Sequence, residues 1–395
     1  MSNEQAQVRR KEQRILVLNH EYPPVPGGAA ILTKDIVEGI AKERKVVVVS
    51  SSCPGAPRRE QSGNVPIHRV ACFGRRTAQL YPTIQSLASY TLFSLPKVYA
   101  MTRQYDIALI HSFAAIAGGV VGHLSSRLFG IPHFCTIIGA DIYSPIERAW
   151  LYKNRLYQSM IHRILTRSRH VISISSDIAN RARSIYGVTK AITVIPPPLP
   201  PEFCSLPPVE MPDEGDREFR ICSVSRLVKR KSLETILEAV SLLKDPTVHY
   251  YIVGTGDQKD YLANMAQQLK IEPRVHFVGR VKHEDVPSFL RKVKSHAFVL
   301  VSHHEGFGVA YLEAMACGLP VIAGDQGGQT DFIVNGENGY IVPVGDARTL
   351  AERIRFLKEN PAIRRQQAAS AYAKAQEFHP SKIAGQYLRL YETFG

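Results

Sequence analysis

The chain lacks any continuous apolar run approaching the roughly 20 residues of a membrane-spanning helix. Its first 14 residues are polar and charged, without the apolar core of a signal peptide. We therefore expect a protein that stays in the cytoplasm. The 6 cysteines are scattered without close pairing, which argues against both a disulfide framework and a zinc site. We expect small core residues at Cys53, Cys72, Cys135, Cys204, Cys222 and Cys317.

Motifs that hold divalent metal ions are also missing. No Asp-x-Asp sequence occurs in the chain, and no histidines and cysteines have the spacing of metal ligands. We therefore expect the protein to use neither a metal ion nor a cofactor.

Acidic residues are scarce in the first half of the chain. Residues 1–205 contain 25 Lys and Arg against 12 Asp and Glu, a net charge of +13, whereas the remaining residues contain 24 against 23 and carry +1. The asymmetry indicates that the first half faces something acidic. An anionic membrane surface and a phosphorylated acceptor both fit this charge, whereas no motif supports nucleic acid as a partner.

The length and composition predict two globular domains, because 395 residues exceed what a single core usually supports and 45% of them are hydrophobic. Short apolar runs alternate with helical patterns, which is typical of α/β folds. We place a polar tail at 1–14, a first domain at 15–205, a linker rich in proline and acidic residues at 206–218, and a second domain at 219–379.

The stretch 305–322 places Glu305 and Glu313 eight positions apart around a glycine-flanked helix start. A buried strand is predicted just before it, and Gly308 lets the chain turn into a helix that ends near Gly318. The N–H groups at such a helix start suit a phosphate. The two carboxylates would lie about 12 Å apart at about 1.5 Å per residue, which suits gripping two hydroxyl-bearing ends of one ligand. The alternative is a pair of glutamates on a solvated helix face.

Further candidates stand at the ends of predicted strands. In the first domain, Gly28 follows one strand, His111 ends another, and Asp141 follows a third. Ligands of open α/β sheets bind at the carboxyl ends of the strands, so all three are candidates for a binding site. The alternatives are an ordinary tight turn, a satisfied buried histidine, and an aspartate that caps a helix.

Two cations, Arg226 and Lys231, follow the first strand of the second domain. They could stabilise negative charge on phosphate oxygens, or they could begin a solvated helix. Gly254 and Arg280 each follow a further predicted strand.

Together these motifs resemble the donor site of retaining, nucleotide-sugar-dependent glycosyltransferases of the GT-B fold, family four. The resemblance rests on Glu-x7-Glu followed by Ala-Met-Ala-x-Gly-x-Pro-Val-Ile, on a Pro-Pro-x-x-Gly-Gly loop, and on the Arg226 to Lys231 spacing; it covers about residues 14–395. It implies two Rossmann-like, doubly wound parallel-sheet α/β domains that face each other across a cleft. It also implies that a final helix, about 380–395, crosses back onto the first domain.

The resemblance implies a role for each candidate residue. Glu313 would bind ribose hydroxyls and Glu305 sugar hydroxyls of a UDP-, GDP- or ADP-sugar, with Arg226 and Lys231 on its diphosphate; the proposed catalytic residues are Glu305, Arg226 and Lys231. The other donor-binding positions would be Gly28, Gly254, Arg280, Phe307, Gly308 and Val309, while His111 and Asp141 would lie on the acceptor side.

The chain departs from the family pattern at several positions. Ile138 stands where a histidine commonly contacts the sugar or the acceptor. Ser225 and Ser232 replace the glycines of the cation loop, and Asp331 stands where a glutamate is more usual.

Two stretches of the basic half could attach to an anionic membrane surface. A helix predicted at 146–169 has a basic face and a neighbouring apolar face, with Trp150 and Tyr152 nearby. The basic face contains Arg148, Arg155, His162 and Arg169, and the apolar face contains Leu156, Met160 and Ile164. The alternative is an amphipathic helix packed on its own domain. The second candidate surface is Arg75-Arg76 with the helix-like stretch 80–102.

We interpret the protein as a retaining, metal-independent hexosyltransferase that acts on a lipid-linked or cell-envelope saccharide. The acceptor hydroxyl would attack the face from which the diphosphate leaves, since no protein nucleophile is evident. A glycoside hydrolase is disfavoured because it needs no diphosphate clamp and places its carboxylates within about 10 Å of each other. The alternatives are a nucleotide-sugar epimerase or a phosphorylase of the same architecture, or a non-catalytic basic protein that binds lipid surfaces.

Overall fold

The structure, a computed structural model, describes residues 12–25, 27–74, 83–144, 152–205, 207–208 and 217–394. Its internal contacts divide the chain into two compact units. The first comprises the residues up to Pro198 together with those from Pro380 onward, and the second runs from Leu199 to His379.

Two largely parallel sheets form the centres of these units. The strands of the first unit are β1 (Arg14–Leu18), β2 (Lys45–Ser51), β3 (Arg59–Ser62), β4 (Val65–Val70), β5 (Ile107–Phe113), β6 (His133–Ile137), β7 (His170–Ser173) and β8 (Ile192–Val194). Those of the second unit are β9 (Phe219–Val224), β10 (Val248–Val253), β11 (Val275–Gly279), β12 (Ala297–Leu300), β13 (Val321–Gly324) and β14 (Gly339–Val342).

Helices connect most of these strands. The α-helices of the described residues are α1 (Gly28–Ile40), α2 (Ile84–Gln104), α3 (Gly118–Phe129), α4 (Arg155–Arg167), α5 (Ser176–Tyr186), α6 (Pro201–Cys204), α7 (Leu233–Leu243), α8 (Lys259–Gln268), α9 (Val286–Lys292), α10 (Val309–Ala316), α11 (Ala347–Glu359), α12 (Pro361–Ala375) and α13 (Pro380–Phe394).

The sheet of the first unit has the strand order β3-β4-β2-β1-β5-β6-β7-β8. β3 is antiparallel to β4, and the remaining pairs are parallel. The four consecutive valines of β2 are all buried, as expected for a strand of a parallel sheet covered on both faces. β3 and β4 were not predicted, because β3 is polar and Pro66 interrupts β4.

Helix α4 turns to the core a face that only partly matches the predicted apolar face, since Ile164 is buried and Met160 is partly buried but Leu156 is not. It begins after Asn154, whose side chain accepts a hydrogen bond from the N–H of Tyr157. Its buried residues are Tyr157, Ile161, Ile164 and Leu165, whereas Leu156 is 82% exposed. The predicted apolar face was therefore displaced, because the buried stripe follows the i, i+4, i+7, i+8 pattern from Tyr157. On the basic face, Arg155, His162 and Arg169 are exposed, while Arg148 and Trp150 lie outside the described residues.

Helix α13 belongs to the first unit, where it packs against α1. A Cβ added at Gly39 would lie 2.9 Å from the Cβ of Ala384, so the glycine allows the two helices to approach closely. Tyr387 and Tyr391 are buried in the same unit. A 3-10 turn separates α12 from α13, because Pro380 can begin a helix but cannot continue one.

The boundary between the units differs from the expected one at residues 199–205. This segment was assigned to the first domain, but it belongs to the second unit. The N–H of Leu199 donates to the carbonyl of Phe378 at 2.7 Å, and Leu199 and Phe203 are fully buried. Their apolar side chains find a core in the second unit, which explains the shift.

The sheet of the second unit is parallel throughout, in the order β11-β10-β9-β12-β13-β14. The chain enters at β9, adds β10 and β11 on one side, and then returns to add β12, β13 and β14 on the other. β9 and β12 are therefore neighbours whose connections depart in opposite directions. Open α/β sheets bind ligands at such a switch point, beyond the carboxyl ends of the strands.

Candidate active site

The connections that leave β9 and β12 form the centre of the candidate site. The two strands pair in register, with Ile221 opposite Ala297 and Cys222 opposite Phe298. The loop after β9 carries Arg226 and Lys231, and the loop after β12 carries Glu305. Parallel pairing therefore brings the predicted cations and the first predicted carboxylate to the same edge of the sheet.

Glu305 is buried between two cations. Its Oε1 lies 2.5 Å from Lys231 Nζ, and its Oε2 lies 3.6 Å from a guanidinium nitrogen of Arg230. Burial alone would raise the pKa of Glu305, but the charges of Lys231 and Arg230 outweigh burial and lower that pKa to about 2. The carboxylate is therefore ionised at neutral pH.

Arg230 is a site residue that was not predicted. Besides its contact with Glu305, it donates to the backbone oxygen of His304 at 2.7 Å and so connects the two loops. Nothing in the local pattern distinguishes Arg230 from its neighbours in a run of basic residues.

The cation loop carries more positive than negative charge. Burial lowers the pKa of Lys231, and the nearby charges of Arg230 and Arg226 act in the same direction, while Glu305 opposes them. Three cations accompany one carboxylate in this group of four side chains, which suits an anionic ligand.

Ser232, where the family has a glycine, adopts a left-handed backbone conformation with φ of 48° just before helix α7. A non-glycine residue in this region costs about 1–2 kcal/mol. Its hydroxyl lies 3.0 Å from the hydroxyl of Thr235. Serine at position 232 therefore takes the backbone conformation that the family's glycine would take before this helix.

Gly254 is required by close contact between two loops. Its φ is 136°, and a Cβ there would lie 1.8 Å from the carbonyl oxygen of Ser225. The N–H of Gly254 also donates to the carbonyl of Gly279 at 2.8 Å, which places the exposed Arg280 beside the same group of loops. These glycines bring the backbone segments of the candidate site together.

Helix α10 begins at Val309 after Gly308, whose φ is 92°. A Cβ at Gly308 would lie 2.6 Å from the ring of Tyr311. Phe307 is buried with its ring against Phe332 and Phe378. Gly308 has no side chain that could cap this helix, and free N–H groups at a helix start suit an anionic ligand.

Glu313, the second predicted carboxylate, has its own partners. Its Oε1 lies 2.7 Å from Nε2 of His283, and Nδ1 of the same ring lies 2.6 Å from Glu202 Oε1. Neither His283 nor Glu202 was predicted, because both are distant from Glu313 in the sequence. Glu305 and Glu313 thus lie in two separate groups of contacts.

In the first unit, Gly28 begins helix α1 after Gly27, whose φ is 140°. A Cβ added at Gly28 would meet none of the described atoms within 4 Å. The helix start therefore has open space beside it, as a ligand loop requires.

His111 lies in the core of the first unit. It is fully buried, and its ring nitrogens lie 2.6 Å from the hydroxyl of Tyr391 and 2.7 Å from that of Thr136. Burial lowers the pKa of His111 to about 3, so the imidazole is neutral. These contacts match the alternative of a satisfied buried histidine and do not support an acceptor contact.

Asp141 also has internal partners. Its two carboxylate oxygens accept hydrogen bonds from the N–H groups of Ala115 at 2.7 Å and Ile138 at 3.1 Å. Burial raises its pKa, against the effect of these hydrogen bonds. The geometry matches the structural alternative for this aspartate.

The outward face of α2 is apolar. Ile84, Leu92 and Tyr99 are 75%, 66% and 50% exposed, and the helix has no acidic residue. Arg75, Arg76 and Tyr81 of the predicted surface lie outside the described residues. Within the described chain no helix combines the length and apolarity needed to cross a bilayer. The same residues contain no group of three or more His, Cys, Asp or Glu side chains arranged to hold a metal ion.

Two families match successive parts of the chain. Residues 26–203 match "Glycosyltransferase Family 4", and residues 211–376 match "Glycosyl transferases group 1". The boundary between the two matches falls close to the boundary between the structural units.

Two curated relatives match over most of their length, and a third matches over about half of it. The chain is 24% identical to the N-acetyl-alpha-D-glucosaminyl L-malate synthase of Bacillus anthracis over 94% of each protein. It is also 24% identical to the GDP-mannose-dependent alpha-(1-6)-phosphatidylinositol monomannoside mannosyltransferase of Mycolicibacterium smegmatis, over 88% of this chain and 90% of that protein. A lipopolysaccharide core biosynthesis glycosyltransferase of Rhizobium meliloti is 33% identical over 43% of this chain and 48% of its own length.

Solved structures share the fold. The sucrose-phosphate synthase of Thermosynechococcus elongatus superposes with a TM-score of 0.80 at 23% identity, over 96% of this chain and 98% of its own. An Anabaena protein in complex with UDP-glucose superposes with a TM-score of 0.71 at 22% identity, over 96% of this chain and 99% of its own. Two parallel-sheet units with successive family matches lead to one conclusion: the chain belongs to the glycosyltransferases of the GT-B fold, with a Glycosyltransferase Family 4 domain followed by a glycosyl transferases group 1 domain.

Proposed function

We propose that the protein transfers a sugar from a nucleoside-diphosphate sugar to an acceptor hydroxyl, with retention of anomeric configuration and without a metal ion. The observation that carries the proposal is the group of Arg226, Arg230, Lys231 and Glu305 at the β9/β12 switch point. An excess of cations around one ionised carboxylate suits a ligand that is anionic at one part and rich in hydroxyls at another.

The donor would lie across the two groups of contacts. Lys231 and Arg226 would bind the diphosphate together with the N–H groups near Val309, while Glu305 would accept hydrogen bonds from sugar hydroxyls. Glu313 would bind the ribose. The Anabaena neighbours were solved with UDP and with UDP-glucose, and the mycobacterial relative is named as GDP-mannose-dependent. Donors with uracil and with guanine are therefore both found among the similar proteins.

The chemical step would be a substitution on one face of the sugar. The bond from the anomeric carbon to the diphosphate oxygen breaks, and a bond to the acceptor oxygen forms on the same face. The acceptor proton passes to the leaving diphosphate oxygen, so no protein base is needed. Cations preorganised around the leaving group stabilise the charge that develops there.

A lipid-linked or cell-envelope saccharide is the acceptor that we propose. Relatives named for lipopolysaccharide core and phosphatidylinositol mannoside synthesis support it. The net charge of +13 on residues 1–205 and the exposed apolar face of α2 support binding to an anionic membrane surface, where such acceptors lie.

The donor assignment is tested by a thermal-shift screen of UDP-, GDP- and ADP-sugars, followed by transfer assays with the donor that stabilises the protein. A ligand at 100 times its dissociation constant stabilises a protein by about 2.7 kcal/mol. We expect Lys231→Ala to lower kcat by about 100-fold, as for the loss of one charge-stabilising donor. The matched control is Lys229→Ala, since Lys229 is exposed in the same loop and should leave kcat unchanged.

Product analysis distinguishes the rival activities. Release of nucleoside diphosphate only when an acceptor is present supports transfer, whereas release without an acceptor indicates hydrolysis of the donor. An epimerase would convert the donor into its epimer without net release of nucleoside diphosphate, and a phosphorylase would consume inorganic phosphate and form a sugar phosphate. NMR of the new linkage shows whether configuration is retained, and activity that disappears with EDTA would contradict metal independence.

A further inference from the structure

Glu313 is a buried carboxylate on α10 whose orientation decides what it can bind. Its side chain is 9% exposed, and among the described residues its hydrogen-bond partner is His283. A carboxylate has acceptor positions on both oxygens, so the bond to Oε1 leaves Oε2 able to accept from a ligand. His283 therefore holds the carboxylate without blocking it.

His283 is itself held from two further directions. Its second ring nitrogen donates to Glu202 at 2.6 Å, and the ring of Phe203 lies 5.3 Å from the imidazole. Glu202 and Phe203 belong to α6, which packs against α10. Leu199 anchors this segment through its backbone hydrogen bond to Phe378. The histidine is thus fixed by an anchored segment.

The charges of Glu202, His283 and Glu313 favour these contacts. The hydrogen bond to Glu313 raises the pKa of His283 to about 9, against the opposing effect of burial, and Glu202 adds to the rise. The ring is therefore an imidazolium at neutral pH and donates from both nitrogens. Charge-assisted hydrogen bonds of this kind are short and strongly directional.

We propose that His283 is a positioning residue that orients Glu313 toward the ribose hydroxyls of the nucleotide, and that Glu202 orients His283 in turn. The proposal rests on the proposed donor role of Glu313. In this proposal His283 and Glu202 contribute to donor recognition through Glu313, without contacting the ligand themselves.

The test compares each nucleoside diphosphate with its 2′,3′-dideoxy counterpart. Calorimetry first identifies which of UDP, GDP and ADP binds the wild-type protein most tightly. The affinity ratio of that nucleotide to its dideoxy form then measures recognition of the ribose hydroxyls. We expect His283→Ala to reduce this ratio by about tenfold, the size expected for losing the orientation of a charged hydrogen-bonding group. Affinity for the dideoxy form should stay unchanged.

Further variants separate positioning from a general loss of structure. His283→Gln should restore part of the ratio, because its amide can still donate to Glu313. Glu202→Gln keeps an acceptor for the histidine but removes the negative charge, and should lower the ratio by a smaller factor. Glu284→Gln is the matched control, since its side chain is 70% exposed next to His283, and it should change nothing.

The outcomes distinguish this proposal from the donor assignment. If Glu313→Ala lowers the ribose ratio but His283→Ala does not, or if His283→Ala weakens both ligands equally, then the positioning role is wrong and the donor assignment stands. If Glu313→Ala leaves the ratio unchanged, both the positioning role of His283 and the ribose-binding role of Glu313 are wrong. The double variant of Glu313 and His283 should bind no worse than Glu313→Ala alone, because the two residues act through one contact.

Discussion

Glu305 and Lys231 form the most deeply placed charge pair of the candidate site. Their side chains are 10% and 12% exposed, so neither charge is well solvated when its partner is removed. Pairing lets the protein keep an ionised carboxylate and an ammonium group in a site closed to most water. A diphosphate that reaches Lys231 would therefore meet a cation that is already held in place by Glu305.

We predict that Glu305→Gln lowers the free energy of unfolding by about 3 kcal/mol, because breaking a buried ion pair leaves an uncompensated charge. Since the pKa of Glu305 is lowered to about 2, its contribution is complete above its ordinary value of 4.5 and is lost as the pH falls toward 2. Denaturant unfolding of both proteins across this range measures the difference, which should shrink below pH 4.5.

The matched control adds Lys231→Met to Glu305→Gln. Removing both charges should recover part of the stability that the single variant loses, because Lys231 no longer remains as a buried charge without its carboxylate. A double variant as unstable as the sum of the two single variants would show that the pair is not coupled.

At the scale of elements, α2 differs from its neighbours because its outer face is apolar. Most surface helices of a globular protein present charged residues to water. Here the exposed positions include Ile84, Leu92 and Tyr99, and the helix carries Lys97 and Arg103 without any acidic residue. An anionic lipid surface would satisfy both the apolar and the basic character of this helix, as the proposed acceptor requires.

We predict that Leu92→Glu weakens binding to vesicles of phosphatidylglycerol and phosphatidylcholine by about tenfold, since it loses the burial of one large apolar side chain and adds repulsion. Co-sedimentation measures the bound fraction. Leu242→Glu is the matched control, because Leu242 is 49% exposed on α7 of the other unit. Equal binding by all three proteins, or binding that ignores the lipid charge, would refute the role of α2.

For the whole molecule, the main consequence of the fold is that the chain leaves the first unit and returns to it. The second unit spans Leu199 to His379, and α13 then completes the core of the first unit. The helix supplies Ile383, Tyr387 and Tyr391 as buried side chains. The stability of the first unit therefore depends on the last residues of the chain.

We predict that a chain ending at His379 loses most of the stability of its first unit. Three large side chains at about 1.5–3 kcal/mol each approach the 5–15 kcal/mol by which a typical domain is stable. Hydrogen exchange should rise in β5 and β6 while β9 and β12 stay protected. Tyr391→Phe, which removes only the hydroxyl group that contacts one ring nitrogen of His111, should cause a much smaller change. Unchanged exchange in β5 and β6 after truncation would contradict this dependence.

Local sequence patterns were enough to predict the fold class and the type of site. Runs such as 46–49 and 297–300 indicated buried strands, and glycines such as Gly308 marked the turns. Glu305, Glu313 and Lys231 stood at strand ends or in the following helix, where a parallel sheet places its ligands. These features are local, since a few neighbouring residues are enough to specify them.

Which side chains meet could be read only from the packed fold. Arg230 contacts Glu305, and Glu313 contacts His283 and Glu202, because strand order and helix packing bring together loops that are far apart in the sequence. The same cause placed His111 against Tyr391, in a core that α13 completes. Local patterns carry no information about such contacts, because they depend on how complete elements pack.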